Sequence, residues 1–212
     1  MVGSVFIEKK ILPPGINDRY IFYFLMVQFF ANLFVNIDMG ILPAGSLKIK
    51  AELEIENTRF GFLGSVVYFG QTIGAALATG ALQGCNPKMV LGTCLFLNIG
   101  TLLLFTQTNF YFVLVFCRCC TGLFQVFFAI YFPVWADTYG DEQQKSTWLT
   151  YLLISSPLGV IIGYGMCASF LETIGWRWAF YIQAMLLMPS LIGMWIIPIE
   201  YVDIQACQKK MK

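Results

Sequence analysis

The sequence predicts an all-α membrane protein, a bundle of six transmembrane helices. Of 212 residues, 58% are hydrophobic and only 12% charged, and the mean hydropathy is +0.71. A water-exposed domain cannot hide so much apolar surface. Apolar runs of about 18–25 residues, the length a helix needs to cross ~30 Å of hydrocarbon, cover 20–42, 60–82, 89–106, 111–135, 148–171 and 179–198. The breaks between them are short and carry turn or charge signals, including Gly84-Cys85-Asn86-Pro87-Lys88 and Asp137 to Lys145. The chain divides into an N-terminal segment (1–19), the bundle (20–198) and a short polar tail (199–212).

Six spans put both termini on one side of the membrane. With the N-terminus inside, the inner segments hold Lys9, Lys10, Arg19, Lys88, Lys145, Lys209, Lys210 and Lys212, and the outer ones hold Lys48, Lys50, Arg59 and Arg177. Eight basic residues against four favour cytosolic termini. The first 19 residues have no apolar core or small-residue cleavage site before the first span, so no cleavable signal is expected.

Composition also excludes chemistries. Thirteen basic and 12 acidic residues nearly cancel, which leaves no footprint for a nucleic acid. There is no histidine, no phosphate-binding loop, no metal-ligand cluster and no nucleophile beside a base. No catalytic residue, metal or cofactor is therefore expected, and the chain does not read as an enzyme. Cys94, Cys117, Cys119, Cys120 and Cys167 fall inside spans without a C-x-x-C pair, and read as small reduced hydrophobes.

The first span carries Asn36-Ile37-Asp38-Met39-Gly40 and then Pro43. Asp38 lies near its outer end. The second holds Gly61, Gly64, Gly70, Gly74, Ala75, Ala78 and Gly80; Gly70/Gly74 is a G-x-x-x-G pair, which lets a neighbouring helix approach closely. Phenylalanines in the third and fourth spans read as lipid-facing or packing residues.

The fourth span contains Arg118 where hydrocarbon would surround it, at a cost of roughly 2.5–3.5 kcal/mol on insertion scales. Such a group must face a partner, a wet cavity or a solute. Gly122 and Gln125 follow at four and seven residues, nearly on the same helical face. Arg118 and Asp38 each lie roughly 10 Å below the outer surface at 1.5 Å per residue, which makes them candidate ion-pair partners. Such a pair either makes two buried charges tolerable while fixing helix register, or handles a substrate or proton.

The fifth span carries Ser155, Ser156, Pro157, Gly159, Gly163 and Gly165. Gly159/Gly163 is a second G-x-x-x-G pair, and Pro157 should kink or loosen the helix. For both glycine pairs, packing within the bundle and contact with a partner stand open. Tyr20, Tyr23, Tyr111, Trp135, Trp148, Trp176 and Trp178 lie near span ends and read as interfacial anchors.

Arg118-x3-Gly122-x2-Gln125, Pro133, Ala136-Asp137, Lys145, Pro157-x-Gly159-x3-Gly163 and Gly175-Trp176-Arg177-Trp178-Ala179-Phe180 together resemble the amino-terminal six-helix half of a major facilitator superfamily transporter. Asn36-x-Asp38 and the R-x3-G-x2-[EQ] pattern are similar to the Spinster-like branch. The resemblance implies half of a major facilitator fold, with helices one and four lining a cavity (Asp38, Arg118, Gln125) and helices two and five meeting the other half. It also implies a gating loop G-x-L-x-D-R-x-G-R between helices two and three. Here Gly80, Leu82 and Lys88 are the remnant of that loop, and Gly84 and Cys85 stand where the resemblance expects Asp and Arg.

Two functions follow as expectations. One is half of a secondary transporter, working by alternating access with a second six-helix half supplied by a homodimer, a separate chain or a missing remainder. Arg118 would bind an anionic group of a small organic or lipid-like solute. The other is a transporter-derived structural subunit in a larger membrane complex.

Overall fold

The computed structural model describes residues 17–204. Lys9, Lys10, Lys209, Lys210 and Lys212, which weigh in the charge count, and most of the two terminal segments lie outside the described residues. The order is α1 (Asp18–Val35), α2 (Ile37–Ala44), α3 (Ser46–Leu53), α4 (Asn57–Gly84), α5 (Pro87–Gln107), α6 (Tyr111–Tyr139), α7 (Glu142–Phe170) and α8 (Arg177–Ile196), then a 3-10 turn at Ile199–Tyr201. Six segments are long and apolar enough to cross a membrane: α1 with α2, then α4, α5, α6, α7 and α8. They match the six predicted runs.

Local chemistry sets the ends. Asn17 and Asn86 accept the backbone N–H of Arg19 and Lys88 at the starts of α1 and α5. Pro87 stands at the first helical position of α5, where its missing N–H removes no bond. Asp141 and Gln144 form a reciprocal capping box at the start of α7. Pro157 does not break α7, which runs unbroken through it. The discontinuity lies instead in the first span, at Asn36.

Both described ends meet at one end of the bundle, where the Asn17 N–H donates to the Tyr201 hydroxyl at 3.1 Å. Residues 199–203 do not leave as a polar tail. Tyr131 donates to the Val202 carbonyl, Trp135 to the Tyr201 carbonyl at 2.9 Å and Tyr139 to the Glu200 carbonyl at 2.8 Å. Trp135 is therefore no interfacial anchor; it is fully buried and stacks on Tyr139 and Trp148. A carbonyl-rich turn satisfies its N–H where headgroups were expected to.

At the opposite end α3, a loop in the sequence reading, is a helix that clamps the α7–α8 turn. Lys48 donates to the Leu171 carbonyl at 2.5 Å and pairs with Glu172. Trp176, also read as an anchor, is buried; it donates to Glu52 at 2.6 Å and packs on Phe105 and Phe180. Arg177 pairs with Glu52 and donates to the Thr106 carbonyl at 3.0 Å and to Asn109 at 2.7 Å. Partial burial would raise the Glu52 carboxyl, but the hydrogen bonds from Arg177 and Trp176 and the nearby Arg177 charge outweigh it and hold the group below its ordinary value. Trp178 remains half exposed, as an anchor should.

Candidate functional site

The site is built around the break in the first span. Asn36 has φ −84° and ψ 0°, and its backbone N–H turns to the Phe34 carbonyl instead of continuing the helical ladder. Three carbonyls then take side-chain donors. The Asn36 amide donates to the Asn32 carbonyl at 2.6 Å. The Gln183 amide, from α8, donates to Phe34 at 3.0 Å and to Val35 at 3.3 Å. At membrane depth such groups must be satisfied by protein, because lipid offers no donor.

Two residues past the break, Asp38 is wholly buried and paired with Arg118. Arg118 is 2% exposed, and its other amino group lies 4.0 Å from the Met39 sulfur. Asp38 Oδ1 and Arg118 Nε have no hydrogen-bond partner. The structure thus joins two of the residues singled out from sequence.

No hydrogen bond joins Gln125 to this pair. Gln125 lines a cavity of about 670 Å³ between α1, α4, α6 and α7, together with polar Asn32, Asn36, Gln71 and Ser156 and with apolar residues that include Val126, Leu149 and Leu152. Gln125 Oε1 is buried and unpartnered. Asn32 is held by Ser155 at 2.7 Å. None of the residues lining the cavity is charged, and neither Asp38 nor Arg118 is among them. Asn32 and Gln71 were missed because an amide in an apolar run carries no charge signal. Asn32 sits one turn before Asn36 in the sequence, which is the cue that was there to read.

All four glycines of the two pairs face inward. A Cβ on Gly70 would fall 2.0 Å from the Cys119 carbonyl oxygen, and one on Gly74 2.5 Å from that of Leu123. Gly122 answers from α6, where a Cβ would meet the Val67 oxygen at 2.0 Å. Gly159 and Gly163 do the same for α7, against the Leu33 and Ile37 carbonyls at 2.2 and 2.0 Å. In the packed bundle these glycines press spans two and five onto spans four and one of the same chain.

In the loop remnant, a Cβ on Gly80 would meet nothing within 4 Å, and Leu82 is half buried. Lys88 donates to the Trp195 carbonyl at 2.9 Å and the Ile197 carbonyl at 2.6 Å, closing the C-terminal end of α8. The described cysteines are free.

A family model described as Major Facilitator Superfamily matches residues 24–210. The chain is 26% identical over 196 residues to a probable sphingolipid transporter, spinster homolog 1, of Arabidopsis thaliana, covering 83% of this chain and 40% of that protein. It thus spans less than half the length of that curated relative. Among solved structures it resembles a proton:xylose symporter, with a TM-score of 0.75 at 15% identity over 92% of this chain and 50% of that one. It also resembles a bacterial homolog of the human lysosomal transporter Spinster, in an inward-facing and unoccupied conformation, with a TM-score of 0.69 at 11% identity over 85% of this chain and 43% of that one. At these identities the two likenesses are of fold.

Proposed function

Because the chain belongs to the major facilitator superfamily, we propose that it forms one half of a secondary transporter and moves a small organic or lipid-like anionic solute by alternating access. A second six-helix half completes the pathway, as a second copy, a separate chain or the remainder of a longer protein. Both termini lie on the cytosolic side. The observation that carries this reading is the buried Asp38–Arg118 pair placed two residues after a break in the first span. Buried ionisable groups at broken membrane helices mark pathways, because keeping them there costs free energy that packing alone does not require.

In this reading Gln125, Asn32, Asn36 and Gln71 orient the polar part of the solute, and the apolar residues of the lining take the rest. Arg118 exchanges Asp38 for the solute anion as the halves rock, and Asp38 accepts a proton when it loses the guanidinium. Spans two and five support the presence of a second half: only 28% and 22% of their apolar windows are covered, against 44–56% for the others. The test is a thermal-shift panel of carboxylates, organic phosphates and lysophospholipids on the purified protein. A solute that stabilises the wild type and not Arg118→Ala supports the assignment; equal stabilisation of both removes Arg118 from the site.

The alternative, a structural subunit in a larger assembly, draws on one observation. Lys88, the base that ends the altered loop, is tied to the end of α8 within its own bundle. A chain found in its native membrane as a single copy inside a large complex, without solute-dependent stabilisation, would favour that reading.

A further inference from the structure

Gln183, in α8, is fully buried. Its amide nitrogen is shared between the Phe34 and Val35 carbonyls at the end of α1, the first of which also takes the Asn36 N–H. We propose that Gln183 is a positioning residue for the Asp38–Arg118 pair, acting through the break in the first span.

The geometry runs as a chain of constraints. The Asn36 N–H turns to Phe34 and leaves the helical ladder. The Phe34 carbonyl keeps that N–H, but without Gln183 the Val35 carbonyl would have to recover a helical bond, which would rotate everything that follows. Asp38 follows Val35 by three residues, so any such rotation swings its carboxylate about the span axis. Asp38 is wholly buried against Arg118 and has no second partner that could hold it in place. A donor from a different helix is therefore what fixes its direction. Asn36 does not supply this: its amide turns back to the carbonyl and side-chain oxygens of Asn32. Gln183 also links the pair to the rest of the molecule: α8 is fixed at one end by Arg177 with Glu52 and at the other by Lys88.

The functional consequence rests on the reading of the pair as part of the pathway, but the positioning itself does not. The experiment therefore reads backbone exchange and not flux. Hydrogen–deuterium exchange is followed by mass spectrometry on the full chain in lipid nanodiscs, for Gln183→Met, which keeps length and loses the donor, and Gln183→Glu, which when neutral keeps one donor. In Gln183→Met, exchange over residues 34–40 and, across the interface, over residues 115–121 should each rise by about ten-fold, as for one lost net hydrogen bond. Gln183→Glu should stay near the wild type. In a background where the charges are removed together (Asp38→Asn with Arg118→Gln), Gln183→Met should still loosen 34–40 but no longer move 115–121.

Loss of that difference, with 115–121 rising equally in both backgrounds, would show a packing role and overturn the proposal. So would wild-type exchange in Gln183→Met, or loosening confined to 34–40. Should Gln183→Met not fold, Gln183→Asn, which withdraws the amide by one methylene, carries the same comparison. Solute stabilisation can fail in the panel above while this exchange pattern holds, so the two readings fall separately.

Discussion

Arg118 and Asp38 are each intolerable alone and acceptable together. Removing one partner of a buried pair leaves an uncompensated charge, at about 3–5 kcal/mol, whereas replacing both by neutral groups of similar size costs far less. Arg118→Ala should therefore insert but melt well below the wild type in nanodiscs, and Asp38→Asn with Arg118→Gln should recover most of the loss. A double variant as unstable as the single one would mean that shape, not charge pairing, holds this point. Glu52 acts in the opposite, half-exposed setting. Its carboxyl is held below the ordinary value of 4.5 in the folded protein, so its contribution is fully present above that value and is lost as pH falls through the lower folded value. With Glu52 44% exposed, the effect is modest. The melting temperature of the wild type should fall more steeply below pH 4.5 than that of Glu52→Gln; parallel curves would put the acid sensitivity elsewhere.

Helices pack through glycine on both sides of the bundle, and this makes the spans intolerant of side chains at particular points. Gly159→Leu and Gly70→Leu each drive atoms into a facing carbonyl about 2 Å away, with no flexible side chain to yield. Both should lower the folded yield and turn a monodisperse detergent peak into aggregate on size exclusion. Gly80→Ala, in open space, should leave that peak unchanged. A folded, monodisperse Gly159→Leu would mean that α1 and α7 can separate. The 3-10 turn at Ile199–Tyr201 gives a second test. Ending the chain at residue 198 strips hydrogen-bond acceptors from Tyr131, Trp135 and Tyr139 and opens the space of buried Tyr201 and Val202. The truncated protein should melt several degrees lower, an unsatisfied buried polar group being worth about 1–3 kcal/mol. An unchanged melting temperature would make that turn dispensable.

At the scale of the whole molecule, spans two and five are the least covered of the six. Native mass spectrometry of protein extracted from its own membrane should give a particle with two six-helix halves if the transporter reading holds. One copy within a large assembly would instead favour the structural subunit. The six-helix bundle was legible in composition and run length, because hydrocarbon thickness and backbone hydrogen bonding leave a chain this apolar few other forms. Arg118 and Asp38 stood out for the same reason, as charges where charge is expensive. Their pairing could be suggested from equal depth alone.

What could not be read is what depends on rotation about helix axes and on contacts far apart in sequence. The two glycine pairs look alike whether they face a neighbour inside the chain or a partner outside it, and only the packed bundle turns them inward. Trp135 and Trp176 sit at span ends like the exposed anchors, yet a backbone carbonyl and the Glu52 carboxylate, each distant in sequence, draw them into the core. The break at Asn36 has no proline of its own, and the proline in the fifth span made none. Whether a helix opens depends on what donor waits for its freed carbonyls, and here that donor is Gln183, from the far end of the chain.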